Sequence, residues 1–361
     1  MTEVLNQYEP DRVSPPGDTL LESIEALGMS QAELAERLGR PKKTINEIIQ
    51  AKAAITPETA LQLEAVLGVP AEFWINREAR YREFLARQQE ESALANETAW
   101  ARQFPVRAMV DRGWIAEPAS RADRVREVLR FFGVASPQAW EETWTRLEVA
   151  FRRSTKARGD RHAIAAWLRR GEIAAQKTEC APYDLDRFKR ALESARALTN
   201  EPPEAFQPKL TELFASAGVV VAWVPEIPRA PVSGATRWLG SDKALIQVSL
   251  RYRTDDQLWF SIFHEAAHVV KHPRRVVFIE GGDQESEEER EADQFAAATL
   301  IPPDRMEGFL ARRQLSLLSL RTFARHLGIA PGIVVGRLQH DGILPYTVGN
   351  GLKRRLQWVD A

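Results

Sequence analysis

His264-Glu265-Ala266-Ala267-His268 constrains this chain more than any other stretch. It lies in a run whose apolar residues Leu258, Trp259, Ile262, Phe263, Ala266, Val269 and Val270 recur at helical spacing. Residues i and i+4 of a helix sit one above the other on one face. The spacing therefore predicts two imidazoles side by side on a largely buried helix. Buried imidazoles beside a carboxylate need polar partners. One Zn²⁺ supplies them, bound through His264 and His268, with Glu265 beside the metal's water as the group that takes its proton. That chemistry implies a zinc-dependent hydrolase of peptide bonds.

Such a site takes three protein ligands and keeps one position open. His272 follows His268 by four residues and is followed by Pro273, which makes it a distant alternative for the third ligand. The run Glu287-Glu288-Glu289-Arg290-Glu291-Ala292-Asp293 is the better source. It opens a second helix, whose Ala292, Phe295, Ala296 and Thr299 share one face. Periodicity leaves Glu288 and Glu289 equal as ligands. Ser286-x-x-Glu289 is also a capping box, so Glu289 has a purely local reason to be there. Tyr252, Arg290 and His272 are equivalent candidates for oxyanion stabilisation.

Composition excludes several classes. The 361 residues suffice for two or three domains. Hydrophobic content of 44% and charged content of 27% are those of a globular protein. A net charge of −1 is not that of a polybasic nucleic-acid coat. Locally, Arg102 to Arg196 holds 20 Lys and Arg against 13 Asp and Glu, a surplus of 7 that suits either a solvated helical surface or counter-charge for DNA. The single Cys180 provides no disulfide framework and fits a reducing compartment. The polar start MTEVLNQYEPDR lacks a signal-peptide core, and no apolar run of about 18 residues is present, so a cytoplasmic protein with no membrane partner is expected.

Residues 1–17 form a loose arm ending in Pro15-Pro16-Gly17, and helical periodicity starts at Asp18. In the next segment Ser30 is an N-cap, Leu34, Ala35 and Leu38 face a core, and Gly39 breaks the helix. Ile45, Ile48 and Ile49 anchor the following helix, which is helix-turn-helix spacing. Gln31, Lys42, Lys43, Thr44, Asn46 and Gln50 are then the residues free to meet a DNA operator, where Asn and Gln can read adenine and Lys guanine. The competing interpretation is a small helical interaction bundle that never meets DNA.

Gln88 to Asn96 is polar and suits a linker or an exposed helix end. Residues 97–200 are mostly helical and rich in Arg, Ala and Trp. Strands are expected at Val219–Val224, near Ala235–Leu239, at Ala244–Leu250 and at Val276–Ile279. Thr254 with Gln257 forms a capping-box pattern before the His264 helix. Ala324, Leu327, Gly328, Val334 and Leu338 echo the first helix-turn-helix, but Ile333, Val334 and Val335 put apolar groups where a reading helix needs polar ones, so this segment is packing or docking structure.

Trp259 to His268, Glu289 to Ala297 and Leu300-Ile301-Pro302, with Ser233-Gly234-Ala235 upstream, resemble the ImmA/IrrE family of metallopeptidases. The resemblance implies Glu289 as third ligand and matches the family again at Asp293. Residues 15–82, through Pro16-Gly17, the Ser30-Gln31 helix, Ile55-x-x-x-Thr59-Ala60 and Phe73-Trp74, resemble the HigA-type antitoxin branch of the XRE repressors. Together these imply a homodimeric, DNA-binding transcription regulator. Its zinc endopeptidase domain would cleave a partner repressor or antitoxin, derepressing stress or mobile-element genes. A different reading is an antitoxin-like repressor whose metal domain binds or senses with little turnover. The expected fold is α+β. It comprises an all-α helix-turn-helix domain over 15–87, a helical linker or sensor over 97–200, and a metallopeptidase domain with a small sheet over 210–345.

Overall fold

The computed structural model describes residues 13–152, 156–157, 159–272, 277–280, 282–283 and 286–359. Most of the arm, residues 1–12, lies outside them, as do Pro273, Val276 and part of the acidic stretch. The chain divides into two compact units, Met1–Asn96 and Glu97–Ala361.

The first unit is all helical: α1 (Pro16–Ala26), α2 (Gln31–Arg37), α3 (Lys42–Ile49), α4 (Pro57–Leu67) and α5 (Ala71–Asn96). The Ser30 hydroxyl accepts from the Glu33 amide at 3.2 Å and so caps α2. Gly39, at φ +64°, lets the chain leave α2 in a left-handed conformation. Ile45 and Ile48 anchor α3 in a core shared with Leu20, Ile24, Leu34, Leu63 and Trp74. The helix starts two residues before Asp18, because Pro16 occupies the first helical position, where its missing N–H costs nothing. The polar segment from Gln88 to Asn96 continues α5 as an exposed helix end.

The second unit holds α6 (Thr98–Ala101), α7 (Val106–Asp111), α8 (Arg121–Phe132), α9 (Pro137–Arg152), α10 (Arg161–Gln176), α11 (Leu185–Ala197) and α12 (Pro203–Ala215). It continues through α13 (Asp255–Lys271), α14 (Glu287–Leu300), α15 (Pro303–Leu310), α16 (Leu317–Leu327) and α17 (Pro331–His340). Its strands are β1 (Lys156–Ala157), β2 (Val219–Trp223), β3 (Gly234–Trp238), β4 (Ala244–Val248), β5 (Phe278–Glu280) and β6 (Gly282–Asp283). The main sheet runs β2-β4-β3-β5; β2 and β4 are parallel and the other pairs antiparallel, while β1 pairs with β6 separately.

Both faces of this sheet are covered, which is why Val219–Trp223 and Ala244–Val248 are near-continuous apolar runs rather than alternating ones. On one face Val219, Val221, Ile246 and Val248 pack with Phe214, Trp259, Ile262 and Phe263 of α12 and α13. On the other lies α10. Trp167 Nε1 donates to Val224 O at 3.2 Å, Gln247 Nε2 donates to Trp167 O at 2.7 Å, and Arg237 pairs with Glu172 at 3.1 Å. Part of the arginine-rich middle region is thus built into the sheet.

Two local expectations are met differently. Thr254 stands at the N-cap of α13 but its hydroxyl bonds nothing there; Thr254 instead pairs as an isolated bridge with Arg355, and the tail supplies partners to the start of the helix. The last strand of the main sheet is Phe278–Glu280, because pairing with β3 begins at Thr236↔Phe278. The helical echo, α16–Gly328–α17, buries Ile333, Val334, Val335 and Leu338, so α17 is packing structure.

Gly17 is fixed by close approach: a Cβ there would run into the backbone of Ile48 and Ile49 at the end of α3. Backbone cannot swing aside as a side chain can, so Gly17→Ala should cost about 1–3 kcal/mol. Thermal melting should show the first unit melting at lower temperature; an unchanged transition would contradict the packing.

Candidate metal centre

α13 and α14 pack against each other, and each contributes to one buried cluster. His264, His268 and Glu289 each offer one ligand atom, all within 4.8 Å of one another. His264 Nε2 lies 3.0 Å from Glu289 Oε2 and 3.1 Å from His268 Nε2; His268 Nε2 lies 3.8 Å from Glu289 Oε1. The three side chains are 0%, 1% and 2% exposed. Glu288, one residue away, is exposed. The Ser286 hydroxyl accepts from the Glu289 amide at 3.2 Å, so the cap orients the first turn of α14 while the Glu289 carboxylate turns inward.

The donor set fits a zinc ion. Tetrahedral donors at about 2.0–2.1 Å from a common centre stand about 3.3–3.4 Å apart, close to the spacings here. Two imidazole nitrogens facing at 3.1 Å hold at most one hydrogen bond between them, and Glu289 Oε1 is buried without a partner among the described residues. A cation satisfies all three atoms together.

The far sides of both rings are held. His264 Nδ1 lies 2.8 Å from Asp293 Oδ1. His268 Nδ1 lies 2.8 Å from His272 Nδ1, and His272 Nε2 lies 3.2 Å from Glu291 Oε2. His272 therefore sits behind His268 rather than beside the three donors. Phe278 stacks on the His268 ring at 3.9 Å and 16°. Partners of this kind fix ring orientation and tautomer in metal sites.

Glu265 is 0% exposed. Its Oε2 accepts from Thr236 Oγ1 at 2.6 Å, while Oε1 has no partner among the described residues. A Cβ on Gly234 would stand 2.5 Å from that Oε1, so β3 seats the carboxyl by what Gly234 lacks. Burial pushes the Glu265 carboxyl well above the usual range, against the pull of His264. For His264, burial opposes the charged form, but hydrogen bonds to the Asp293 and Glu289 carboxylates outweigh it and raise the pKa well above normal. Burial takes His268 down to about 4. Burial pushes the Glu289 carboxyl up, but the His264 ring bonded to it and the nearby His268 ring outweigh this and bring it down to about 2.

Asp293, His272 as a support, Thr236 and Gly234 are the residues that sequence reasoning did not place in the site. Asp293 had a detectable signal, since it lies one helical turn after Glu289 on the same face. Thr236 and Gly234 had none beyond the motif Ser233-Gly234-Ala235, because only strand pairing brings them to α13. Tyr252 and Arg290, the other residues weighed for oxyanion stabilisation, are exposed.

In the first unit, Lys42, Lys43 and Asn46 are exposed on α3 and Gln50 is exposed just after it; Thr44 and Gln31, the latter opening α2, are half-buried. Gln50 Nε2 donates to Asn46 Oδ1 at 3.2 Å, and Lys43 lies 3.8 Å from Glu47. These residues form a polar face on the second helix of the motif, the arrangement that reads a major groove.

The chain thus joins a helix-turn-helix unit to a peptidase-type unit with a His-His-Glu cluster. It belongs to the helix-turn-helix family over residues 20–74 and carries an IrrE N-terminal-like domain of peptidase family M78 over residues 241–339. It is similar to the uncharacterized HTH-type transcriptional regulator YddM of Escherichia coli K12, at 36% identity over 61 residues, 17% of this chain and 65% of that protein. Virulence-associated protein A of Dichelobacter nodosus is 41% identical over 59 residues, 16% of this chain and 58% of that protein. Virulence-associated protein I of the same organism is 35% identical over 78 residues, 21% of this chain and 72% of that protein. The chain therefore spans less than two thirds of the first two relatives. Among solved structures, a HigA-family addiction module antidote protein from Coxiella burnetii matches at 31% identity and TM-score 0.23, over 24% of this chain and 95% of that one. Pseudomonas aeruginosa antitoxin HigA with higBA promoter matches at 26% identity and TM-score 0.23, over 24% and 95%.

Glu289→Ala should abolish stoichiometric zinc binding, whereas Glu288→Ala keeps it; Asp293→Ala should weaken it about 10–100-fold. Zinc titration against a competing chelator measures all three. Loss on Glu288→Ala instead would reassign the third ligand.

Proposed function

We propose that this protein is a DNA-binding transcriptional regulator with a zinc-dependent endopeptidase domain. The observation that carries the reading is Glu265 packed beside three converging donors, His264, His268 and Glu289. Zinc, when bound, polarises a carbonyl and lowers the pKa of a water to about 7. His264, His268 and Glu289 hold the ion, and Asp293 and His272 keep the rings aimed. Glu265 takes a proton at Oε1, the oxygen that Thr236 leaves free, and returns it to the leaving amine.

The substrate in this reading is a partner repressor or antitoxin, and an extended segment of it pairs with edge strand β5. The helix-turn-helix unit binds an operator as a homodimer through Gln31, Lys42, Lys43, Thr44, Asn46 and Gln50. The match of residues 20–74 to the helix-turn-helix family supports the DNA arm, and the match of 241–339 to a peptidase family supports the catalytic one. A cytoplasmic location accords with this task, and no helix among the described residues is long and apolar enough to cross a membrane.

One observation favours a second reading. All four central side chains are 2% exposed or less, which leaves little surface at which a peptide bond can reach them and suits a binding or sensing module with little turnover. One variant separates the two. Glu265→Gln should retain one zinc per chain and lose about 10²–10⁴ in peptide hydrolysis. Hydrolysis at the wild-type rate would remove Glu265 from the chemistry, and no hydrolysis by the wild type would favour the binding module.

For the DNA arm, gel-shift titration should give a specific site whose affinity falls steeply with salt. A flat salt response with no preferred sequence would mean that the unit only docks proteins.

A further inference from the structure

One stretch of the second unit is free of acids. From Gly308 to His340 the chain holds five Arg and no Asp or Glu, although 50 of its 361 residues are acidic. Among the described residues, only Arg337 of the five meets a carboxylate, donating from Nε to Asp341 Oδ2 at 2.7 Å. Arg312, Arg313, Arg321 and Arg325 are exposed, and their guanidinium groups have no hydrogen bond or ion pair among the described residues. Exposed helices elsewhere pair such groups one turn away, as in Arg37 with Glu33, Arg87 with Glu83 and Arg107 with Asp111. Here the neighbour one turn after Arg321 is Arg325, a like-charge pair that works against the helix carrying it.

The surface that carries them is firmly built and partly apolar. Phe309 of α15 stacks on Phe323 of α16, with ring centroids 4.2 Å apart and 7° between the planes. Between the two helices Arg313 turns the chain in a left-handed conformation, at φ +50°. Ser319 Oγ then donates to Gln314 O at 2.7 Å, and the Ser316 hydroxyl accepts from the Ser319 amide at 3.2 Å. α16 buries Leu320 and Ala324 in the core. Its other face carries Leu317, Arg321 and Arg325 at i, i+4 and i+8, with Leu318 beside them. Leu317 is 52% exposed and Leu318 75%.

We propose that the α15–α16 corner docks an acidic amphipathic segment of a partner protein. Carboxylates of that segment meet the four guanidinium groups, a pairing that the planar Arg fork favours. Its aliphatic side chains cover Leu317 and Leu318. The two leucines decide between protein and nucleic acid, because a phosphate backbone offers them no apolar cover and an acidic amphipathic helix does. α17, the helix that a second helix-turn-helix would set into a groove, is turned into the core through Ile333, Val334 and Val335. The proposal gives the chemistry of the protein partner in the reading above, and docking itself needs no hydrolysis.

The test uses the full zinc-loaded Glu265→Gln chain and fluorescein-labelled amphipathic peptides. One peptide has a Glu face and a Leu face; in the controls Gln replaces Glu, or Ser replaces Leu. A DNA duplex is the last probe. By anisotropy the Glu/Leu peptide should bind about tenfold more tightly than either control or better, and more weakly as salt rises. Arg321→Glu with Arg325→Glu should erase the preference for Glu over Gln, and Leu317→Ser with Leu318→Ser the preference for Leu over Ser. Arg121→Glu with Arg124→Glu, an equal change of net charge at exposed positions of α8, should leave both preferences. Every variant should keep one zinc per chain. Equal binding of the Glu and Gln peptides, or preferences that survive the α16 variants, overturns the proposal. So does a duplex that binds through Arg321 and Arg325 where no peptide does, which would make the corner a second DNA contact. Absence of docking while wild type holds zinc and hydrolyses peptide removes this proposal and keeps the peptidase reading; docking without hydrolysis does the reverse.

Discussion

Three donors from two helices meet in a buried cluster, and the rest of the second unit is arranged to hold them there. His264 Nε2 is shared between His268 Nε2 at 3.1 Å and Glu289 Oε2 at 3.0 Å, and Glu289 Oε1 has no hydrogen-bond partner among the described residues. Unpaired buried polar atoms cost about 1–3 kcal/mol each. A cluster of them in a well-packed core, beside Ile262, Phe263 and Ala296, is a standing demand for a cation.

The surrounding elements meet that demand from separate directions. α14 brings both a donor and, one turn later, the carboxylate that aims His264. The end of α13 brings His272 behind His268. β3 carries Gly234 and Thr236, which leave room for the Glu265 carboxyl and hold one of its oxygens. The next residue of that strand, Arg237, points to the opposite face and is 6% exposed against Glu172 and Arg169 of α10. Breaking a buried pair of this kind by removing one partner is strongly destabilising. α10 is thereby tied to the strand that seats Glu265.

Much of this was legible in the sequence, and the parts that were not have physical reasons. The H-E-x-x-H spacing and the apolar run fixed a buried helix because i,i+4 geometry is local. The strands at 219–223, 234–238 and 244–248 were visible as β-branched or apolar runs, although their order in the sheet was not. Glu289 could not be separated from Glu288 by periodicity, since the two lie only 100° apart; packing buries one and exposes the other. Thr254 looked like a cap, but a bridge to Arg355, about a hundred positions away, took over the start of the helix. The pairing of Arg237 with Glu172 and the seat at Gly234 depend on strand order, which no local pattern encodes.

The account stands or falls on the metal environment. X-ray absorption at the zinc edge of the full, zinc-loaded chain reads it directly. It should show a four-coordinate ion with two imidazole nitrogens and oxygen donors at about 2.0–2.1 Å. A sulfur shell near 2.3 Å, a six-coordinate all-oxygen environment, or a single imidazole would contradict the assignment of His264, His268 and Glu289.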